Sequence, residues 1–213
     1  MCYKTDKQNM IAAQMQVKLQ SLPIFMRAYF STLKSKVTRK NNYGFIVALF
    51  SYFIKQGVIR KDALLDIDPD DIRKITSSDM VVYLDSLSTI NSPETIATKK
   101  NIFGSLWSYF VKSGYAHDNI VHDIDKNRFK PETSNAEDTV KVPSQSQIHM
   151  FRKAILQSRR NEFEIARNIA IVELFMGSGI RSEELIGLDL EDLHLDDEEP
   201  HIFVMGKGKQ FKK

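Results

Sequence analysis

The fold is decided by a stretch of twelve residues, GSGIRSEELIGL at positions 177–188. Its glycines at 177 and 179 predict a turn, and residues 182–188 predict a short helix that begins directly after Arg181. About twenty residues further on, positions 201–205 form a compact β-favouring run, and Gly206-Lys207-Gly208 predicts a tight hairpin turn. The two stretches therefore predict a glycine turn, a helix and a strand that leads into a hairpin.

Arg181 is the candidate catalytic residue of the first stretch. Cleavage of a phosphodiester by in-line attack builds negative charge on the non-bridging oxygens, and a planar guanidinium can hold two of them at once. Its place after Gly177 and Gly179, at a helix start, would aim the side chain and the free backbone N–H groups at the same anion. Taken alone, the stretch is also explained by an ordinary turn into an amphipathic helix that buries Leu185 and Leu188.

In combination, the two stretches resemble the tyrosine recombinase family, also called the phage integrase family, and in particular its Xer-like members. In that family an arginine after a glycine turn opens a helix with the pattern Arg-x-x-Glu-Leu-x-x-Leu, and a Gly-Lys-Gly hairpin tip follows at a similar distance. Both patterns are present here in the same order. The resemblance implies site-specific DNA recombination or integration, by strand breakage and rejoining through a phosphotyrosine intermediate.

The resemblance also implies roles for individual residues. Arg181 would bind the scissile phosphate, and Glu184, three residues later on the same helix face, would brace its guanidinium as an ion pair. Lys207 would be the general acid that protonates the leaving 5′ oxygen. Lys209 is the weaker candidate, because the family aligns its catalytic lysine with the centre of Gly-Lys-Gly. A solvated lysine in a glycine turn remains the alternative for Lys207.

The front of the chain carries the positive charge. The formal net charge is +3, but residues 1–130 sum to about +7 and residues 131–213 to about −4. The front is therefore the better candidate for binding a polyanion. Apolar residues at spacings of three and four predict helices over 22–33, 45–57, 77–87 and 92–114, with an acidic connection over 58–70.

This helical front resembles the core-binding domain of the family, which forms one half of a clamp around duplex DNA. Basic and polar residues at two helix starts are the predicted contacts to phosphates, and Asn42 or Lys99 is predicted to touch base edges. A solvated helix face is the alternative explanation of the same charges. The predicted DNA-binding residues are Lys36, Thr38, Arg39 and Asn42 at the second helix, and Thr95, Thr98, Lys99 and Lys100 at the fourth.

The expected fold class is mainly α. A SAM-like core-binding domain of four to five helices is expected over residues 1–130, a polar linker over 131–143, and an incomplete α+β catalytic domain over 144–213. In the last part, helices are predicted over 144–158 and 162–176. Trp107 is expected in the core of the front domain rather than on a stacking surface.

Several parts of the family's active site are expected to lie outside this chain. In the family a His-x-x-Arg block, a further His or Trp and the nucleophilic tyrosine come later, whereas all seven tyrosines here precede Arg181. The second strand of the hairpin is also expected to be missing. We therefore expect that this chain alone does not cut DNA. Two alternatives stay open, a catalytically inactive DNA-binding module that occupies recombination sites and a helical protein-interaction or transcription-regulator domain.

No cofactor, metal or small-molecule ligand is predicted. The five histidines show no pair at metal-ligand spacing with carboxylates on one helix face, and the acidic run 196–199 is predicted to be a solvated turn. Duplex DNA is the expected partner, and the resemblance implies a tetramer of the full-length protein on DNA. The single cysteine and the apolar run 45–54, about half the ~20 residues that cross a bilayer, favour a cytoplasmic protein without a membrane span.

Overall fold

The structure is a computed structural model that describes residues 3–125, 128–129, 142–205 and 211–212. The chain divides into two compact units with the division at residues 137–138, within the predicted linker, and each is described here by itself. Most of the predicted linker over 131–143 lies outside the described residues, so the predicted domain bounds stay a prediction. None of the described helices is both long and apolar enough to cross a lipid bilayer.

The first unit is helical, as predicted. The helices predicted over 22–33, 45–57, 77–87 and 92–114 are present, and two further helices, α1 and α4, precede and interrupt them. A 3-10 turn lies over Leu64–Asp66. Among the described residues of this unit, the helices are α1 Tyr3–Leu19, α2 Ile24–Thr32, α3 Lys36–Lys55, α4 Pro69–Lys74, α5 Ser77–Ser86 and α6 Pro93–Lys112.

Hydroxyl and carboxylate caps fix where these helices begin. The Ser35 hydroxyl accepts a hydrogen bond from the Thr38 N–H at 3.3 Å, so α3 begins nine residues before the predicted start. Asp68 accepts from the N–H groups of Asp70 and Asp71 at 2.9 and 3.0 Å, and Pro69 occupies the first helical position. These caps explain why part of the predicted connection over 58–70 is helical.

The core of the first unit is rich in aromatic rings. Trp107 is fully buried and stacks on Phe50, with ring centroids 6.2 Å apart and planes 12° from parallel. It also meets Phe110 edge to face at 5.6 Å. Since each buried aromatic ring removes a large apolar area from water, this cluster supplies a large part of the unit's stability. The expectation that Trp107 lies in the core is confirmed.

The described residues of the second unit form three helices and two small sheets. The predicted helices over 144–158, 162–176 and 182–188 are present, although each is shorter or longer by a few residues. Arg152 joins the first two through a bidentate ion pair with Glu173, with both N···O distances 2.6 Å. The elements are α7 Gln145–Leu156, α8 Glu162–Ser178, α9 Ser182–Ile186, β1 Leu193–His194, β2 His201–Ile202, β3 Val204–Met205 and β4 Phe211–Lys212, with a 3-10 turn over Leu190–Asp192.

The predicted strand over 201–205 is divided between the two sheets. In the first sheet β1 pairs antiparallel with β2, which sets His194 opposite His201. In the second, β3 pairs antiparallel with β4, which sets Met205 opposite Phe211. The expectation that the second hairpin strand is missing was therefore wrong. Residues 211–212 lie far enough beyond the glycine turn to return and pair with 204–205.

The second unit has a small core among its described residues. Only Ile148 and Ile180, at 7% exposure each, count as buried hydrophobic residues there. Many large apolar side chains of this unit face solvent instead, which contrasts with the extensive core of the first unit. The exposed apolar residues are Val142, Met150, Phe151, Leu156, Phe163, Phe175, Met176, Ile186, Leu190 and Leu195.

Candidate functional site

A glycine turn between α8 and α9 positions Arg181. Gly179 adopts the left-handed conformation, with φ of +63°, and its N–H donates to the carbonyl of Phe175 at 3.2 Å. Only glycine adopts this conformation readily, because a Cβ atom there strains the backbone. Ile180 is buried at 7% exposure and anchors the turn. Arg181 follows immediately and occupies the position before the first turn of α9.

The two oxygens of the Glu184 carboxylate contact different groups of Arg181. Oε2 accepts from the backbone N–H of Arg181 at 2.9 Å, and Oε1 lies 3.2 Å from its Nη1. The carboxylate side chain is 9% exposed and the arginine side chain 69% exposed. The ion pair expected between the two residues is therefore present, and most of the guanidinium surface stays open to an anion. The catalytic roles of both residues stay a prediction.

The lysine candidates come 26 and 28 residues after Arg181 in the sequence. Lys207 and Lys209 fall between β3 and β4, at positions 206–210, outside the described residues. Helix α9 contacts strand β3, so the residues that directly precede this segment are close to the Arg181 helix. The role of Lys207 as general acid stays a prediction.

The start of α3 presents basic groups, and the surrounding sequence is unusually free of acids. Residues 7–61 contain ten Lys and Arg and neither Asp nor Glu. The Lys36 ammonium donates to the Asn9 side chain at 3.2 Å, and Nε of Arg39 donates to the Leu33 carbonyl at 2.7 Å. Lys40 and Thr38 are exposed. This acid-free segment indicates an anion-binding surface. The net charges of residues 1–130 and 131–213 do not reveal it, because they sum over much longer stretches.

Asn42 does not lie where the sequence suggested. Its side chain is 5% exposed, and its amide donates to the Tyr29 hydroxyl at 3.3 Å, which in turn donates to the Ser105 hydroxyl at 3.3 Å. An amide enclosed between helices cannot reach a base edge while the unit stays folded. The predicted DNA contact of Asn42 is therefore incorrect, because its polar side chain satisfies a buried hydroxyl of the core.

The start of α6 carries the other predicted contacts. Ser92 caps the helix by accepting from the Thr95 N–H at 3.4 Å, and the Thr98 hydroxyl donates to the Glu94 carbonyl at 2.9 Å. The hydrogen bond from Ser92 is the main reason that the pKa of the Glu94 carboxyl is lowered. These threonine groups therefore serve the helix start itself, while both side chains stay within reach of solvent.

Both lysines of this helix start have partners in the structure. The Lys99 ammonium donates to the Asn91 side chain at 2.7 Å and lies 5.3 Å from the centroid of the Phe45 ring, and its burial lowers its pKa. The Lys100 ammonium donates to the carbonyls of Ile124 and Asp125 at 2.9 and 3.0 Å. For Lys100, the contacts indicate a structural role in holding the loop after α6. The contacts of Lys99 and Lys100 to DNA stay a prediction.

The six tyrosine side chains that the structure describes all belong to the first unit. Tyr29 and Tyr83 are buried, and burial raises the pKa of the Tyr83 hydroxyl to about 12. The unit that carries Arg181 contains none of the chain's seven tyrosines. One His-x-x-Arg sequence does occur, at His149 and Arg152, but it precedes Arg181, and its arginine pairs with Glu173. It therefore does not correspond to the later block of the family.

One further cluster was not expected. His194, Asp197 and His201 each offer one ligand atom, and these atoms all lie within 4.8 Å of one another. Ligand spacing on one helix face does not reveal this cluster, because these residues meet across the β1–β2 hairpin. Strand register, which the sequence alone does not fix, was the missing information.

Comparison with known proteins gives a consistent result. No protein-family model matches the sequence. The tyrosine recombinase XerC of Thermodesulfovibrio yellowstonii is 34% identical over 122 residues, which cover 56% of this chain and 36% of that protein. The tyrosine recombinase XerC of Caldanaerobacter subterraneus subsp. tengcongensis is 26% identical over 193 residues, covering 85% of this chain and 51% of that protein.

Among solved structures, the fold is similar to that of the XerH site-specific recombinase bound to palindromic difH substrate in a post-cleavage complex. The TM-score is 0.58 at 17% sequence identity, and the match covers 84% of this chain and 48% of that chain. The mainly helical fold expected from the sequence is thereby confirmed. The chain spans about half, or less, of the length of the proteins that it matches.

Proposed function

We propose that the chain is a member of the tyrosine recombinase family, to whose members it is similar, and that it forms the front part of a site-specific recombinase. In this proposal a helical DNA-binding unit precedes the portion of the catalytic domain that carries Arg181. The reaction of the whole protein is the breakage and rejoining of DNA strands through a phosphotyrosine intermediate, in integration, excision or chromosome resolution. Duplex DNA is the substrate, and four protomers of the full-length protein assemble on it.

The setting of Arg181 is the observation that carries the proposal. Its guanidinium is 69% exposed, while the Glu184 carboxylate that contacts it is 9% exposed. A guanidinium has five N–H donors, so one contact with Glu184 leaves donors for two non-bridging oxygens of a phosphate. Because the buried carboxylate restrains the arginine, less conformational entropy is lost when the phosphate binds. The arrangement favours stabilisation of the charge that develops during strand cleavage.

The first unit carries the proposed binding surface for duplex DNA. Ten basic residues without an acid over residues 7–61 give one continuous part of this unit a positive potential. Lys36, Arg39 and the exposed Lys40 at the start of α3 are the proposed phosphate contacts. Thr38 is exposed beside them, and Thr95, Thr98, Lys99 and Lys100 at the start of α6 complete the proposed surface. Phosphate contacts of this kind position DNA without reading its sequence.

For this chain taken by itself, we propose DNA binding without strand cleavage. The absence of a tyrosine from the sequence after Arg181 favours this second candidate function, because the covalent step needs a phenolic oxygen near the phosphate. Lys207 remains the proposed general acid of the complete active site. A mixture of this chain with nicked or intact duplex should then leave the phosphodiester backbone unchanged, even when the protein is bound.

Titration of a fluorescent duplex with the chain at several salt concentrations tests the proposal. Binding through phosphates gives a linear fall of log affinity with log salt concentration, whereas a protein-interaction domain gives no such binding. Arg181→Ala should reduce the magnitude of that slope by about one, the change expected for one lost phosphate contact. Arg167→Ala, which changes another exposed arginine of the second unit, serves as the matched control. An unaltered slope for Arg181→Ala would remove the phosphate-binding role.

A further inference from the structure

A compact group of metal-ligand side chains lies in the β1–β2 hairpin, apart from the Arg181 turn. His194 and His201 are opposite each other in the antiparallel register, and their rings stack with centroids 4.8 Å apart. Asp197 in the connecting turn reaches both, with its Oδ2 3.7 Å from Nδ1 of His194 and 3.8 Å from Nδ1 of His201. Two imidazoles and one carboxylate therefore converge on one small volume.

The distances are close to those of a bound transition-metal ion. Zinc binds histidine nitrogen and carboxylate oxygen at about 2.0–2.2 Å, so ligand atoms around a tetrahedral zinc lie about 3.3 Å apart. The two distances to Asp197 exceed this separation by roughly half an ångström, which rotation of the Asp197 side chain, 53% exposed, can close. The ion needs no rearrangement of the strands, because the register already pairs the two histidines.

The surroundings favour a cation. The turn also carries the exposed acids Asp196, Glu198 and Glu199, which raise the local concentration of positive ions. Phe203 lies edge-on to both imidazoles, with ring centroids 5.1 and 5.0 Å away, and forms an apolar wall beside them. An apolar wall of this kind limits water access and strengthens the electrostatic attraction at a metal site.

From this geometry we propose that His194, Asp197 and His201 bind a divalent transition-metal ion of the Zn²⁺ type, with water in the remaining coordination position. The backbone carbonyl of Glu199 lies 2.8 Å from Nδ1 of His201. An ion that uses this nitrogen replaces that contact, so we expect weaker binding than at a structural site with four protein ligands. The bound ion joins β1, the turn and β2, and it thereby stabilises the short hairpin that follows the Arg181 helix. The proposal does not depend on recombinase function.

Direct titration of Zn²⁺ tests the site. The whole chain, produced without a histidine tag, treated with a chelator and carrying Cys2→Ser to remove thiol binding, is titrated calorimetrically with Zn²⁺. We expect one equivalent to bind, and each of Asp197→Asn and His201→Gln to weaken binding at least about ten-fold. His149→Gln, which changes an exposed histidine of α7 in the same unit, should leave binding unchanged.

Asp197→Asn separates loss of a ligand from loss of fold, since this side chain is 53% exposed in the turn. Its far-ultraviolet circular dichroism should match that of the parent. Failure of the parent to bind one equivalent, or equal Zn²⁺ affinity of the parent, Asp197→Asn and His201→Gln, would overturn the proposal. The proposal would also be overturned if His149→Gln weakened Zn²⁺ binding as much as His201→Gln does.

Discussion

Glu184 holds Arg181 by two separate atoms, since its Oε2 accepts from the arginine backbone at 2.9 Å while its Oε1 lies 3.2 Å from Nη1. One carboxylate thus fixes both the start of α9 and the direction of the guanidinium. The local fold and the proposed phosphate site consequently depend on the same side chain. A change at position 184 should affect both.

Glu184→Gln tests this double role. The amide keeps the shape of the side chain but loses its charge and one acceptor. The hydrogen bond from the Arg181 N–H and the ion pair with the Arg181 guanidinium are therefore both weakened. We expect the second unit to lose about 1 kcal/mol of stability, a typical value for a lost helix cap. Hydrogen exchange of the α9 amides measures this loss. Glu183→Gln, at an exposed position of the same helix, should change exchange little, and equal effects of the two variants would refute the double role.

Asn42 and Lys40 provide a matched test of which residues near the start of α3 bind DNA. Asn42→Ala removes the amide that donates to Tyr29 inside the core, and we expect a stability loss of about 1–3 kcal/mol. DNA affinity measured well below the melting temperature should be unchanged. Lys40→Ala, at an exposed position, should lower DNA affinity and leave the melting temperature unchanged. The reverse pattern would restore Asn42 as a contact.

Low pH should destabilise the first turn of α4, because Asp68 caps it. Hydrogen bonding to Lys61 is the main cause that lowers the Asp68 pKa below its ordinary value of 3.8. A carboxyl with a lowered pKa contributes stability that is present above pH 3.8 and is lost as the pH falls through the folded-state value. Melting temperatures between pH 5 and about pH 2.5 should therefore fall less steeply for Asp68→Asn than for the parent. Asp62→Asn, at an exposed position outside the cap, should follow the parent, and parallel curves for all three would contradict the assignment.

The two units should differ in resistance to protease. The first unit has an extensive buried core, whereas the second buries only Ile148 and Ile180 among its described hydrophobic residues. The free energy needed to open a unit increases with the apolar area that it buries. Residues after about position 145 should therefore be cleaved first. Limited trypsin digestion followed by mass spectrometry should leave a resistant fragment of the first unit. Survival of the whole chain without such a fragment would show that the second unit is equally stable.

Most of the helices could be predicted because local rules determine them. α2, α5 and α6 follow apolar spacing, and α6 begins with the expected sequence of cap, proline and acid at residues 92–94. The turn that carries Arg181 was equally predictable, since Gly179 takes the one conformation that demands glycine. In α1 the signal was weak, because its buried described residues are only Ile11 and Met15.

What could not be predicted depends on contacts distant in sequence. The burial of Asn42 depends on Tyr29 and Ser105, which approach it from two other helices. The pairing of His194 with His201 depends on strand register, and polarity alone suggested a solvated turn between them. Sequence patterns predicted the glycine turn and Arg181, but the surroundings of Asn42 and the meeting of the two histidines came from packing.

The stacking of Trp107 on Phe50 gives the molecule a built-in optical probe. This indole is the one tryptophan of the chain, it is fully buried, and its N–H has no hydrogen-bond partner in the part that the structure describes. Its emission should therefore be blue-shifted in the native state and should move to longer wavelength only when the first unit opens. Fluorescence and circular dichroism followed in one denaturation experiment will then report the two units separately, since loss of α7 and α8 leaves the indole signal unchanged.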